Sequence, residues 1–329
     1  MFKRDSASDH GHTHGFTDPL IITTRRGIWA VKWSFIGLMI TALFQVAIVA
    51  ISDSVALLAD TIHNFGDAST AIPLWIAFRI ARLRPTKRFP YGYGKVEDLA
   101  GVAILFMILL SVIVAAYEST QRFLDPQPVY YLGAVVAASI IGFIGNELVA
   151  TFRIRVGKEI HSAALIADGY HARVDGLTSL AVLGGVAGIW LGYPIADPLI
   201  GFIIILMILR ILWSSAKTVL VRLIGGVDSE VIEDIEHAAR HVQGIEDVTE
   251  VRVRWVGHLL HGELNLAVST DLLISEAHEL AQLARHEIMH HLPYLANIVI
   301  HIDPANVSGE SFHRIESHAH GEHESHFHP

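Results

Sequence analysis

Cysteine is absent from the 329-residue chain, which excludes disulfides, thiolate metal ligands and a cysteine nucleophile. Charge is scarce as well. Asp, Glu, Lys and Arg make up 17% of residues, against about 25% in an ordinary soluble protein. Basic residues are in the minority, with 24 Lys and Arg against 33 Asp and Glu and a formal net charge of −9, so nucleic acid is not expected as a partner. No cleavable signal peptide is expected either, because the first residues are polar and histidine-rich.

What the chain does have is long apolar blocks and histidine. Hydrophobic residues reach 52%, the mean hydropathy is +0.44, and 21 histidines crowd towards both ends. Six apolar spans, near 29–51, 54–80, 96–118, 129–152, 161–191 and 196–222, each meet the ~20 residues of a helical membrane crossing. Arg25 and Arg26, the run from Arg79 to Lys95, then Arg153, Arg155 and Lys158, and finally Lys217 and Arg222 fall on alternate connections. Basic residues favour the cytoplasm, so both termini are expected there, in a plasma (inner) membrane protein.

Within the second and fifth spans one phrase repeats. Ala59-Asp60-Thr61-Ile62-His63-Asn64-Phe65-Gly66-Asp67 and Ala167-Asp168-Gly169-Tyr170-His171-Ala172-Arg173-Val174-Asp175 both read A-D-x-x-H-x-x-x-D. Residues four apart share a helix face, so His63 stands over Asp67 and His171 over Asp175. Two such helices facing each other would bring two imidazoles and two carboxylates to one point, which suits a divalent transition metal. Ionisable groups at membrane depth are costly and so are read as functional. The plainer alternative is that these groups only bond the helices together. Asp60 and Asp168, one turn earlier, could orient the imidazoles or line the way in. Gln45, Asn146 and Glu147 are the other polar groups in the spans, expected along the cavity.

After Gly225-Gly226 a soluble stretch begins. It reads as helix 229–243 with a Val231, Ile232, Ile235, Ala239 stripe, strands 248–255 and 263–268, helix 275–291 opened by Ser275, and strand 297–302. The order αββαβ suits a two-layer sandwich. The chain therefore divides into a histidine-containing tail 1–28, a transmembrane domain 29–225, a soluble domain 226–304 and a histidine-rich tail 305–329. Both tails are expected to be disordered, at most collecting metal weakly.

The phrases L-L-A-D-T-I-H-N-F-G-D, Y-G-Y-G-K-V-E-D, A-D-G-Y-H-A-R-V-D and I-V-I-H-I-D-P resemble those of the cation diffusion facilitator family of metal/proton antiporters, from about Trp29 to Pro304. The resemblance implies a polytopic α-helical membrane protein. It would have six transmembrane helices and a small α+β, ferredoxin-like cytoplasmic domain, working as a homodimer. By position it implies a transport site of His63, Asp67, His171 and Asp175, and candidate ligands His301 and Asp303 in the cytoplasmic domain. Two departures stand out. The loop R-L-R-P-T-K-R-F-P-Y-G-Y-G-K has no acid or histidine ligands, and Lys95 finds no acid at the end of the sixth span before Asp228.

Strand alternation also pairs His261 with Glu263 and His301 with Asp303, so these four, with His258 nearby, are candidates for a regulatory Zn²⁺ position. The alternative is that these side chains simply face water. His286-Glu287-Ile288-Met289-His290 matches H-E-x-x-H, which on a helix can hold zinc beside a glutamate base. Ala277, Ala281, Ala284 and Ile288 mark that helix's buried stripe, however, and His286 falls opposite. The expected function is export of a divalent metal, Zn²⁺ first, with Cd²⁺, Co²⁺, Fe²⁺ and Mn²⁺ as other candidates, against inward protons. A membrane-anchored metalloenzyme and a non-transporting metal sensor are the competing classes.

Overall fold

A computed structural model describes residues 19–52, 71–124, 132–193 and 195–308. Apolar chain in lipid has no water to satisfy its N–H and C=O groups, so it closes its hydrogen bonds within helices. The bundle comprises α1 (Pro19–Ser52), α2 (Ala71–Ala81), α3 (Lys95–Leu124), α4 (Leu132–Glu159), α5 (Ala163–Trp190) and α6 (Ala196–Leu223). Five of the described helices are long and apolar enough to cross a bilayer. Of the expected span 54–80, only the part forming α2 is described, and the expected tail 305–329 lies almost wholly outside the described residues.

Several boundaries move. The first helix starts at Pro19, inside the stretch expected to be tail, because proline at a first helical position loses no hydrogen bond and presets the dihedral. The fourth helix runs on to Glu159, which draws Arg153 out of the expected loop and into the bundle. There it is 1% exposed.

Burial in the bundle puts large apolar groups on both sides. Leu74, Phe78, Ile104, Ile108, Leu165 and Ile208 are fully buried, while Phe106, Leu110, Leu206 and Trp213 are exposed, as expected of surfaces facing lipid. Among the five long helices α5 is the least apolar and the most enclosed. Glycines allow its close packing: a Cβ on Gly169 would lie 2.7 Å from Ile154 Cγ1 and 3.1 Å from Arg153 Cβ. Small residues are the usual means by which membrane helices approach.

The C-terminal domain follows as α7 (Ser229–Arg240), β1 (Ile245–Val256), β2 (Leu259–Val268), α8 (Ile274–His291) and β3 (Leu295–Pro304). The sheet order is β1-β2-β3. β1 and β2 form an antiparallel hairpin, and β2 and β3 run parallel, as a helical crossover requires. Leu260, Leu264 and Leu266 face Ile235, Ala239, Ala284 and Ile288, leaving His261, Glu263 and Asn265 on the open face. Helix α8 starts slightly before Ser275, at Ile274, where Leu273 N donates to Glu276 Oε2 at 2.8 Å.

Candidate metal centre

α5 carries the described half of the candidate site. Its first turn is capped by Ser162, whose Oγ accepts from Leu165 N at 3.1 Å. Asp168, His171 and Asp175 then follow on one buried face, at 0%, 2% and 4% exposure. His171 Nδ1 and Asp175 Oδ1 are 3.6 Å apart, side by side but too far for a hydrogen bond between those two atoms. Imidazole and carboxylate bind a cation only when deprotonated, so at such a pair metal and protons compete. His63, Asp67 and Asp60 lie outside the described residues.

Asp168 has a partner that the repeat does not reveal. Its Oδ2 stands 2.9 Å from Arg153 Nη1, and Arg153 Nη1 also reaches Asp168 O at 3.5 Å. The ion pair ties α4 to α5 one turn from His171. Asn146 and Gln45 are buried in the bundle, with Gln45 Nε2 donating to Ala138 O at 3.5 Å. Glu147 instead takes Arg173 in a two-pronged bond of 2.6 and 3.1 Å, with both side chains about one-third exposed.

In the C-terminal domain the candidates separate into two groups. His301 Nε2 and Asp303 Oδ1 approach to 2.9 Å. The register sets Asn297 beside His261 and Asn265 beside His301, a stagger of about 13 Å along the strands. Burial, and then Arg254, push the His261 imidazole below its usual range. Its ring meets Tyr91 edge-on at 5.7 Å, on the loop before α3. Among the described residues no group of three or more His, Asp or Glu is arranged to hold a metal. On α8, His286 and His290 are exposed, their rings 6.4 Å apart, and Glu287 Oε1 lies 3.4 Å from His291 Nδ1.

The structure adds a junction where the β1–β2 turn enters the bundle. His258 Nδ1 donates to Glu97 Oε2 at 2.6 Å, and its Nε2 lies 2.8 Å from Thr23 Oγ1. Ser162 Oγ donates to the other Glu97 oxygen at 2.5 Å. The Arg222 guanidinium sits 4.2 Å over Trp255 and donates to His161 O. Lys95 meets Asp98 Oδ2 at 3.1 Å and the Arg222 carbonyl at 3.1 Å, so it finds its partners within its own chain. The signal for this junction was Glu97 and Asp98 in Y-G-Y-G-K-V-E-D, acids in the first turn of an otherwise apolar helix.

Sequence comparison matches residues 31–224 to the cation efflux transmembrane domain and residues 227–305 to the cation efflux protein cytoplasmic domain. A probable cation efflux system protein of Mycobacterium tuberculosis is 48% identical over 297 residues, covering 89% of this chain and 90% of that one. The manganese efflux system protein MneP of Bacillus subtilis is 25% identical over 265 residues, 77% of this chain and 88% of its own. Among solved structures a MamM CTD covers 23% of this chain and 96% of that chain, at 20% identity and a TM-score of 0.23.

Proposed function

The chain belongs to the cation efflux family, an integral membrane family of divalent-metal exporters, and on that premise we propose that it moves Zn²⁺ out of the cytoplasm in exchange for protons. The observation that carries this reading is the burial of His171 and Asp175 side by side on a membrane-spanning helix. With His63 and Asp67 from the second span they would make a site of two nitrogens and two oxygens, which favours Zn²⁺ over harder ions. Protons compete for the same four groups, and a bundle opening alternately to each side would exchange one cargo for the other. The protein works as a homodimer, with both termini and the cytoplasmic domain on the inner side of the plasma membrane. Regulatory Zn²⁺ in the cytoplasmic domain would start from His301 and Asp303, with His261 and Glu263 further along the sheet.

The test is flux into proteoliposomes, run separately with Zn²⁺, Cd²⁺, Co²⁺, Fe²⁺ and Mn²⁺, with and without a pH gradient. Zn²⁺ uptake that acidifies the opposite compartment is the expected result. The manganese named for the Bacillus relative makes Mn²⁺ the rival cargo, and faster Mn²⁺ than Zn²⁺ flux would replace the proposed ion.

A further inference from the structure

Two separate hydrogen-bonding systems meet at Glu97. One belongs to the cytoplasmic domain: the β1–β2 turn reaches into the bundle, and its His258, 2% exposed, spans from Glu97 to Thr23 near the start of α1. The other belongs to the helix with the proposed transport ligands: Ser162 caps α5 through Leu165 N and donates a hydrogen bond to Glu97. The donors and acceptors form one consistent chain. Leu165 N–H donates to Ser162 Oγ, the Ser162 hydroxyl to Glu97 Oε1, and His258 Nδ1–H to Glu97 Oε2. Both oxygens of a carboxylate that is 1% exposed are therefore used, one by each domain.

The contact is closely fitted as well as bonded. Gly257 has φ +65°, and a Cβ there would sit 2.7 Å from Gly94 O and 3.0 Å from Glu97 Oε2. Only a glycine accepts both that dihedral and that approach. A buried carboxylate left without one of its donors must find another or shift the groups around it. Displacement of the turn therefore bears directly on the cap of α5, three residues before Leu165 and one turn and a half before Asp168.

We propose that His258 and Glu97 are positioning residues for transport, through which the seat of the cytoplasmic domain sets the register of α5 and hence the ease with which the His171–Asp175 site changes the side it faces. This rests on the transport reading above. The junction's bonds do not include His171 or Asp175, so the effect falls on turnover and leaves binding alone.

The experiment uses the full chain, purified and reconstituted, with Zn²⁺ binding measured in detergent and Zn²⁺ flux measured in vesicles on the same preparations. His258→Ala and Glu97→Gln should each lower maximal flux about tenfold, with half-saturating Zn²⁺ and bound Zn²⁺ within about twofold of wild type. The double variant should be no slower than the slower single, because both cut one chain. His258→Asn should recover most of the flux, since its side-chain amide can donate to Glu97 as Nδ1 does. Spin labels at Lys158→Cys and Gln282→Cys, unambiguous in a chain without cysteine, should show a broader inter-domain distance in His258→Ala. Wild-type flux in both single variants, multiplied losses in the double, His258→Asn no better than alanine, or slow flux with an unbroadened distance would each overturn the coupling. Absence of Zn²⁺ flux in wild-type vesicles would instead overturn the transport reading, and this inference with it.

Discussion

Helices α5 and α8 each carry histidine and acid at spacings that suit a metal ion, in opposite surroundings. On α5, His171 and Asp175 are buried in the most enclosed of the five membrane-length helices. On α8 the H-E-x-x-H residues lie away from the Ala284 and Ile288 stripe, where water solvates them. Spacing alone would rank α8 above α5, since H-E-x-x-H is the better-known pattern. The difference is environment: an imidazole in water has no reason to wait for a metal, whereas one beside a carboxylate at membrane depth is costly unless something uses it.

The largest effects should separate these two helices. Asp175→Ala removes a proposed ligand. Because even residues that only support a ligand cost 10–100-fold, Zn²⁺ flux should fall about 100-fold or more. Glu287→Gln on α8 should change it by less than about twofold, the scale of an exposed substitution. Both are read in one proteoliposome assay. Normal flux in Asp175→Ala would remove α5 from the mechanism, and loss of flux in Glu287→Gln would bring the H-E-x-x-H residues of α8 into it.

Next comes the ion pair beside the site. Arg153→Met leaves Asp168 buried without its cation, which should cost about 3–5 kcal/mol, whereas Arg153→Met with Asp168→Leu should recover most of that loss. The check is thermal unfolding of the purified protein in detergent. Equal Tm for wild type and Arg153→Met would show that the pair does not hold α4 to α5.

These contrasts mark how far the sequence could be read. Period and length identified the helices and the αββαβ order, because lipid burial and strand alternation leave direct traces in single residues. His171 and Asp175 were legible through a repeat whose spacing matches a helix face. Arg153 was not, since a basic residue near the end of an apolar run reads as a loop residue, and only the continuation of α4 to Glu159 turns it inward. His258 was grouped with the candidate metal ligands of the cytoplasmic domain, whereas the structure turns it to Glu97. Its partner Glu97 lies far away in sequence, and no local pattern encodes that contact. His261 and His301 shared a pattern too, but the parallel register of β2 and β3 staggers them.

A smaller effect concerns what the α5 helix prefers to hold. Replacing both repeat histidines, His63→Asp with His171→Asp, would leave carboxylates alone, which favour harder ions over Zn²⁺. The ratio of Zn²⁺ to Mn²⁺ flux in competition should fall on the order of tenfold, about 1.4 kcal/mol. An unchanged ratio in an active double variant would place selectivity outside the repeated phrase.

The smallest expected effect lies at the junction and follows from His161. This residue sits between α4 and α5 at φ +56°, its ring 4.2 Å from Tyr294 and stacked on Trp255 at 6.1 Å. Burial first, then the Arg222 guanidinium and His258, hold its pKa below the ordinary 6.5. The seated domain thus favours the neutral ring, while a released or unfolded one takes up the proton more readily. The contribution is complete above about pH 6.5 and is lost as pH falls from there towards the lower folded value. Hydrogen exchange at the Gly257 amide should therefore speed up between pH 7.5 and 5.5, after correction for the intrinsic rate. His161→Asn, which tolerates the left-handed backbone, should flatten that dependence even though it weakens the stacking at every pH. An equally steep dependence in the asparagine variant would assign the response to other groups at the junction and leave His161 as a packing residue alone.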